Sequence, residues 1–345
     1  MQTIADAAKV SRATVSRALR NHPNLPIETR QRIQAVARQF GYRPNPMVAA
    51  LMAQLKAVKR SDYVETLAFV TAWPTRDGWR KFYETREFFS GAMSRSRQLG
   101  YTLEHFWLKE SGMTGQRFSQ MLSARGIRGL VINPLLRPMG HLSLNWEQFA
   151  AVTIGASLRQ PDLHRVCIHQ YANVGLAYRK LKHLGFRRIG LFTLQDLERR
   201  VDYERTASMY AYQNWISPAH AIPSLVIGEW KEQVFRRWLK DESPDAIIAV
   251  HYHILNQSLA DILVCVPKNV GFVALNWSDS YPHITGVDTN PNLIGAASVD
   301  LLVEQLHNNE CGIPSHPKTV LIKGKWVEGN SVRVLRRSAD KLATA

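Results

Sequence analysis

The chain has 345 residues, enough for a small module plus a core that must divide into more than one lobe. Its formal net charge is +16, and residues 1–60 hold 11 Lys and Arg against only Asp6 and Glu28, so a polyanion is the expected partner of the front end. Cys167, Cys265 and Cys311 are too scattered for a disulfide framework or a close-spaced metal site. No signal-peptide pattern opens the chain and no apolar run approaches a membrane span, so the expectation is a reduced, cytoplasmic protein with no membrane partner.

The first 42 residues read as three short helices. Thr3 can cap the first, in which Ile4, Ala5 and Ala8 make one apolar stripe. Ser11 is a good N-cap for the second, where Val15, Ala18 and Leu19 recur at helical spacing. Ile33, Val36, Ala37 and Phe40 mark the third. A tight turn around Lys9 joins the first two, which is a helix-turn-helix arrangement. Arg12, Ala13 and Arg17 point away from the Val15/Leu19 stripe, in the turns where such a helix meets base edges in the major groove.

The stretch from Tyr42 to Leu55 begins as a proline-broken connector and continues as a helix of small residues, with Asn45 a natural N-cap and Pro46 a natural first helical residue. It is too short to be stable alone in water and is apolar where a linker should be polar, so it needs a partner. With Val10-Ser11, Thr14-Val15-Ser16-Arg17, Thr29-Arg30 and Gly41-Tyr42-Arg43-Pro44-Asn45 at their spacing, the front of the chain resembles the lactose/galactose repressor family. The resemblance implies a DNA-binding head over residues 1–44, a hinge helix and linker over 45–62, and an effector-binding and dimerisation core over 63–345. It also implies a homodimer on a pseudo-palindromic double-stranded DNA operator. Ser11, Arg12, Ala13, Thr14, Ser16 and Arg17 would contact the major groove, and Asn45, Ala49 and Leu51 the minor groove, with Leu51 on the position of the leucine that wedges a base step. Three departures stand out. Lys9 occupies the turn position commonly held by glycine, Pro26 stands where a serine or threonine usually caps the third helix, and the chain begins almost at the first helix, so the true start could lie upstream.

Beyond a polar connector, strands and helices alternate. Strand patterns cover 67–71, 101–107, 129–133 and 151–155, with helices over 82–99 and 115–125 between them. From near His164 a second series repeats the unit: strands at 166–168, 189–193, 225–227, 246–250 and 270–274, and helices over 172–184, 203–215 and 229–239. The fold class expected is α/β, two doubly wound parallel-sheet lobes behind a helical head, with a ligand cleft at the carboxyl ends of the strands. This core resembles the periplasmic-binding-protein-like core of the same family, anchored on 185–190 and 284–288, with the chain crossing between lobes near 158, 285 and 320.

Candidate effector-binding residues follow from this alignment and from residue chemistry. Arg199, and with less support Arg205, stand where the family places an effector-contacting arginine, and a guanidinium suits hydroxyls, carboxylates or phosphates. Asn276 replaces the family's aspartate, beside Trp277, whose indole can stack on a sugar ring. Trp73 follows the first strand with Trp79 and can border the cleft; either can equally be packed under a loop. Tyr252 between His251 and His253 reads as pocket lining, since two histidines without a third ligand make a poor metal site. No phosphate loop, nucleophile elbow or carboxylate pair follows the strands, so no catalytic residue, metal or cofactor is expected. The resulting expectation is a regulator, by family default a repressor, of carbohydrate-use genes under a small-molecule effector, with a sugar favoured. An architectural DNA-bending protein and a sugar enzyme fused to a DNA-binding head are the alternatives. No terminal leucine heptad argues for a tetramer.

Overall fold

The computed structural model describes residues 2–19, 25–42, 65–250, 263 and 268–333. At the front, α1 (Gln2–Ala7), α2 (Arg12–Leu19) and α3 (Ile27–Gln39) bury Ile4, Ala5, Ala8, Val15, Ala18, Ile33 and Ala37 in one small core. Two side chains from α3 tie it to the others at carbonyls that the helix ends leave over. The Arg32 guanidinium donates to Ala8 O at 3.1 Å and the Gln34 amide to Ala18 O at 2.9 Å. Thr3 lies inside α1 and does not cap it.

The rest of the described chain builds two parallel sheets. The first has the order β13-β7-β5-β3-β1-β2, from β1 (Thr66–Thr71), β2 (Thr102–Trp107), β3 (Gly129–Ile132), β5 (Ala150–Ile154), β7 (His164–Ile168) and β13 (Thr319–Ile322). The second has the order β14-β12-β11-β10-β8-β9, from β8 (Ile189–Leu194), β9 (Leu225–Ile227), β10 (Ala246–Ala249), β11 (Gly271–Ala274), β12 (Gly286–Asp288) and the antiparallel β14 (Lys325–Val327). A short pair, β4 (Gly140–His141) and β6 (Leu158–Gln160), sits beside the first sheet. Central strands such as β3, β5 and β10 are buried along their whole length, as continuous apolar runs covered on both faces should be. In the first lobe α4 (Tyr83–Gln98) and α10 (Pro291–Asn308) share the core of Phe69, Val131, Val152, Val166, Val299 and Leu302, and α5 (Gly115–Ala124) covers Ala68, Val70, Leu130, Ile132 and Ala151 on the other face. In the second, α6 (Gln170–His183), α8 (Glu204–Ile216) and α9 (Glu232–Glu242) enclose Tyr178, Leu191, Met209, Phe235 and Phe272. Helix α9 runs three residues further along than its periodicity suggests and ends at Ser243 in the left-handed region.

The lobe crossings differ from the sequence expectation. The chain does not leave the first lobe near 158, because β7 pairs with β5 and β13, and it crosses at His169. The second crossing falls at Thr289–Asn290, after which α10 returns to the first lobe, and the third at Lys323–Gly324. A strand followed by a helix reads alike in either lobe, so only the pairing decides. The crossings are laced together: His169 N donates to Ile322 O, Gly324 N to Asn173 Oδ1 and Asn290 Nδ2 to Lys323 O, each at 2.8 Å.

Candidate functional site

On the head, Ser11 Oγ accepts from Thr14 N at 3.0 Å and lies 2.9 Å from Thr14 Oγ1, so α2 starts where the sequence places it. Arg12, Ala13 and Arg17 are exposed on one side of that helix while Val15 and Ala18 are buried on the other; Thr14 and Ser16 are half-buried at the boundary. Lys9 adopts φ +52°, and the bonds Val10 N to Ala5 O at 3.0 Å and Lys9 N to Asp6 O at 3.2 Å close α1 in a Schellman turn. Gly41 closes α3 in the same way at φ +65°. Pro26 is the N-cap residue of α3 and supplies no side-chain bond. Asn45, Ala49, Leu51 and the rest of the hinge segment lie outside the described residues, as do Tyr252 and its flanking histidines.

Between the two lobes lies a cavity of about 350 Å³. The first lobe contributes Glu84 and Phe88 from α4, Pro134, residues 155–157, Arg159, Asp162, Arg165 and Cys167, and the second contributes Gln170, Arg200, Asp202, Glu204, Arg205 and Asn276. Arg205 sits in the wall behind it, only 9% exposed, with Nε on Gln170 Oε1 at 2.8 Å and Nη1 on Leu197 O at 3.1 Å and Glu198 Oε1 at 3.2 Å. Glu198 (on α7, Gln195–Arg200) is fully buried, and its carboxylate also accepts from Thr193 Oγ1, Thr206 N and Thr206 Oγ1. A stretch whose charge pattern suits a solvated loop is thus a buried, hydrogen-bonded ion pair.

Two contacts span the cleft. Arg200 Nη1 donates to Leu135 O at 2.8 Å and Leu136 O at 2.7 Å, and Arg159 lies 3.5 Å from Asp202. Asp202 and Tyr203 are consecutive left-handed residues at φ +55° and +62°, a turn that costs of order 1–3 kcal/mol per residue and carries Asp202 to the cavity rim. Burial pushes the Glu84 carboxyl up, opposed by the guanidinium groups of Arg205 and Arg200 and by a 3.4 Å contact with Thr289 Oγ1. Burial also raises Glu204 against Arg205, and it pushes the Cys167 thiol up to about 11.

Of the sequence-stretch candidates, Arg205 and Asn276 line the cavity. Arg199 does not: its side chain is 55% exposed and pairs at 3.9 Å with Asp196. At about 100° per residue it falls on the far side of α7 from buried Leu197, and its neighbour Arg200 faces the cleft instead. Trp73 is also not on the wall. It is 3% exposed, packs at a tilt against Phe82 and donates from Nε1 to Pro134 O at 3.0 Å, so it holds the loop that the cavity touches. Trp79 is fully buried among Phe69, Phe89 and His105. Trp277 packs beside Gly286 and is outside the lining. Sequence reading missed Glu84, Phe88, Gln170 and Arg200, which come from helices whose phase toward the cleft only the packing sets.

A helix-turn-helix head ahead of a two-lobed α/β core with a polar cavity between the lobes defines a DNA-binding protein with a core of the small-molecule-binding kind. Residues 1–45 match the family described as bacterial regulatory proteins, lacI family, and residues 178–332 match a periplasmic binding protein-like domain. The chain is a DNA-binding transcriptional regulator that carries a lacI-family head ahead of a periplasmic-binding-protein-like core. It is 22% identical over 330 residues to the HTH-type transcriptional regulator MalR of Staphylococcus xylosus, covering 89% of this chain and 92% of that one. It is 27% identical over 194 residues to PtxS of Pseudomonas plecoglossicida, covering 54% and 51%. Among solved structures it resembles the CelR-cellobiose complex (TM-score 0.54, 19% identity, 95% of this chain and 98% of that one). The lac repressor dimer bound to operator and the anti-inducer ONPF gives the same TM-score and identity, over 96% and 98%. Among the described residues no helix is long and apolar enough to cross a membrane.

Proposed function

We propose that the chain is a homodimeric repressor of carbohydrate-use genes whose operator affinity is set by a neutral saccharide held between the lobes. In this reading residues 1–44 are the reading head, 45–62 the hinge with Asn45, Ala49 and Leu51 on the minor groove, and 63–345 the sensing core. The observation that carries it is the pairing of charge on the cavity wall. Arg159 meets Asp202, Arg165 meets Asp162 and Arg205 meets Glu198, so the wall presents balanced charge with the amides of Gln170 and Asn276 and the ring of Phe88. Saccharide hydroxyls pair with such planar donors and acceptors, whereas a phosphate calls for unmatched positive charge. The CelR structure, which holds cellobiose, supports the same class of ligand.

Full-length protein on a selected operator fragment, titrated with neutral saccharides, phosphorylated sugars and purines, tests the reading. A binder of the folded form raises stability by about 2.7 kcal/mol at a hundredfold excess over Kd. A neutral saccharide is expected to give that shift and to change operator affinity at least tenfold, with Asn276→Ala weakening both. Arg17→Ala should relax sequence preference while the salt slope, about −0.9 per phosphate contact, stays nearly the same. A response to purines or sugar phosphates alone rejects the saccharide, and equal affinity for random and selected DNA rejects the operator.

A further inference from the structure

Helices α4, α9 and α10 turn charged side chains to solvent, among them Arg97, Arg236, Arg237 and Glu304. Helix α8 does not. From Thr206 to Ile216 it carries no charged side chain, in a chain whose net charge is +16. At 100° per residue Ala207, Tyr210 and Asn214 fall within about 60° of one another, on the side away from buried Arg205 and Met209. Tyr210 is 66% exposed on that side, and Trp215, at its edge, is 82% exposed.

Helix α6 runs beside α8 in the same direction. Ser208 Oγ donates to Tyr171 O at 2.9 Å, and the Tyr212 ring lies 6.1 Å from that of Tyr171 and 5.6 Å from that of Tyr178. Exposed Tyr171 on α6 and exposed Tyr203 before α8 extend the face, and with Tyr210 and Trp215 they present about 500 Å² of aromatic surface. Patches of that size on a single chain mark contact sites. Two such faces, with Ala207, Ala211, Asn214 and Arg179 around the rings, come to about 1,200 Å², the area at which stable pairs begin. The two ends of the face are oppositely charged. Beside the carboxyl end of α8, Arg179 donates to Tyr212 Oη; before the amino end, the Asp202 side chain is 74% exposed. A second copy laid antiparallel along the roughly 20 Å of the helix brings Arg179 of each copy beside Asp202 of the other. An acidic partner finds no cation on α8 itself, whereas a second copy, repelled by net charge elsewhere, meets none here.

We propose that the uncharged aromatic face of α8 joins two copies of this chain through an antiparallel, two-fold contact centred near Tyr210. The head enters the core at β1 of the first lobe, and α8 belongs to the second, so this contact is additional to the pairing of heads on DNA.

The test measures the mass of full-length protein, free of DNA and ligand, by sedimentation over a concentration series. The parent is expected to reach about twice the mass of Trp215→Glu and of Tyr210→Glu, with all three giving the same circular dichroism. Arg179→Asp should weaken the association about fivefold, and adding Asp202→Arg in the same chain should restore it, which only the antiparallel arrangement explains. Tyr210→Cys, close to the two-fold axis, should form a disulfide between chains on air oxidation, which the parent with its exposed Cys311 does not. Trp215→Glu should still bind a two-fold operator fragment within about twofold of the parent. Equal masses for the parent and both glutamate variants overturn the contact and leave the operator and saccharide readings standing. Loss of two-fold operator binding together with loss of association overturns its separateness, since α8 would then be what pairs the heads.

Discussion

At the scale of single residues, conformation and ionisation are set by what each side chain is packed against. Lys9 holds a left-handed conformation that costs a non-glycine residue about 1 kcal/mol, because the head's two-bond turn requires it whatever the side chain. His105 lies against the Trp79 ring with Nε2 2.8 Å from Thr71 Oγ1. Burial, helped by Arg80, pushes its pKa down to about 4 from 6.5. The unfolded chain therefore binds the proton more readily, and stability falls as pH drops from about 6.5 to about 4. His105→Gln keeps a hydrogen-bonding group and removes the titration. Against that variant the parent is expected to lose about 1–2 kcal/mol more across this window, read from urea midpoints at stepped pH. Parallel curves would show that the histidine does not titrate there.

At the scale of elements, the contact between α4 and α10 holds the first lobe together, and it depends on two glycines. A Cβ on Gly91 would run into the carbonyl of Asn292, and one on Gly295 into the backbone of Phe88 and Ala92. Glycine normally weakens a helix interior by 0.5–1 kcal/mol relative to alanine, so on propensity alone Gly295→Ala should stabilise. Backbone cannot retreat as a flexible side chain can, and the expected result is a loss of about 1–3 kcal/mol in urea unfolding. A gain in stability would mean that the helices can separate at no cost. The elements themselves were largely legible. Ser11 caps α2, apolar runs mark the strands, and a glycine follows the ends of α4, α5 and α6 as the pattern requires. Helix α10 was not foreseen, because ten of its residues are buried around most of its circumference and no polar face announces its phase.

At the scale of the molecule, the lobes are joined by three crossings and clasped by Arg200 and by the Arg159–Asp202 pair. A ligand changes the lobe arrangement only by its difference in affinity for the two states, so contacts that span the cleft set how much it must supply. Arg200→Ala removes two charge-assisted bonds to Leu135 and Leu136. It is expected to lower stability by about 1–3 kcal/mol and to raise the rate of Cys167 modification several-fold in the unliganded protein. An unchanged rate would place the clasp outside the opening motion.

The sequence by itself determined what is encoded within a few residues of the chain: the three-helix head with its exposed Arg12, Ala13 and Arg17, the alternation of strand and helix, and the presence of two lobes. Capping hydroxyls, apolar periodicity and glycine stops act locally, so they can be read locally. Only the tertiary structure decided that His164–Ile168 joins the first sheet, that Arg200 and not Arg199 faces the cleft, that Trp73 is buried behind Pro134, and that Glu198 is the buried partner of Arg205. Each of these depends on which face of an element meets another, often one more than sixty residues away. Periodicity records that a face is apolar or polar but not what it is pressed against, and the cavity is made of those encounters.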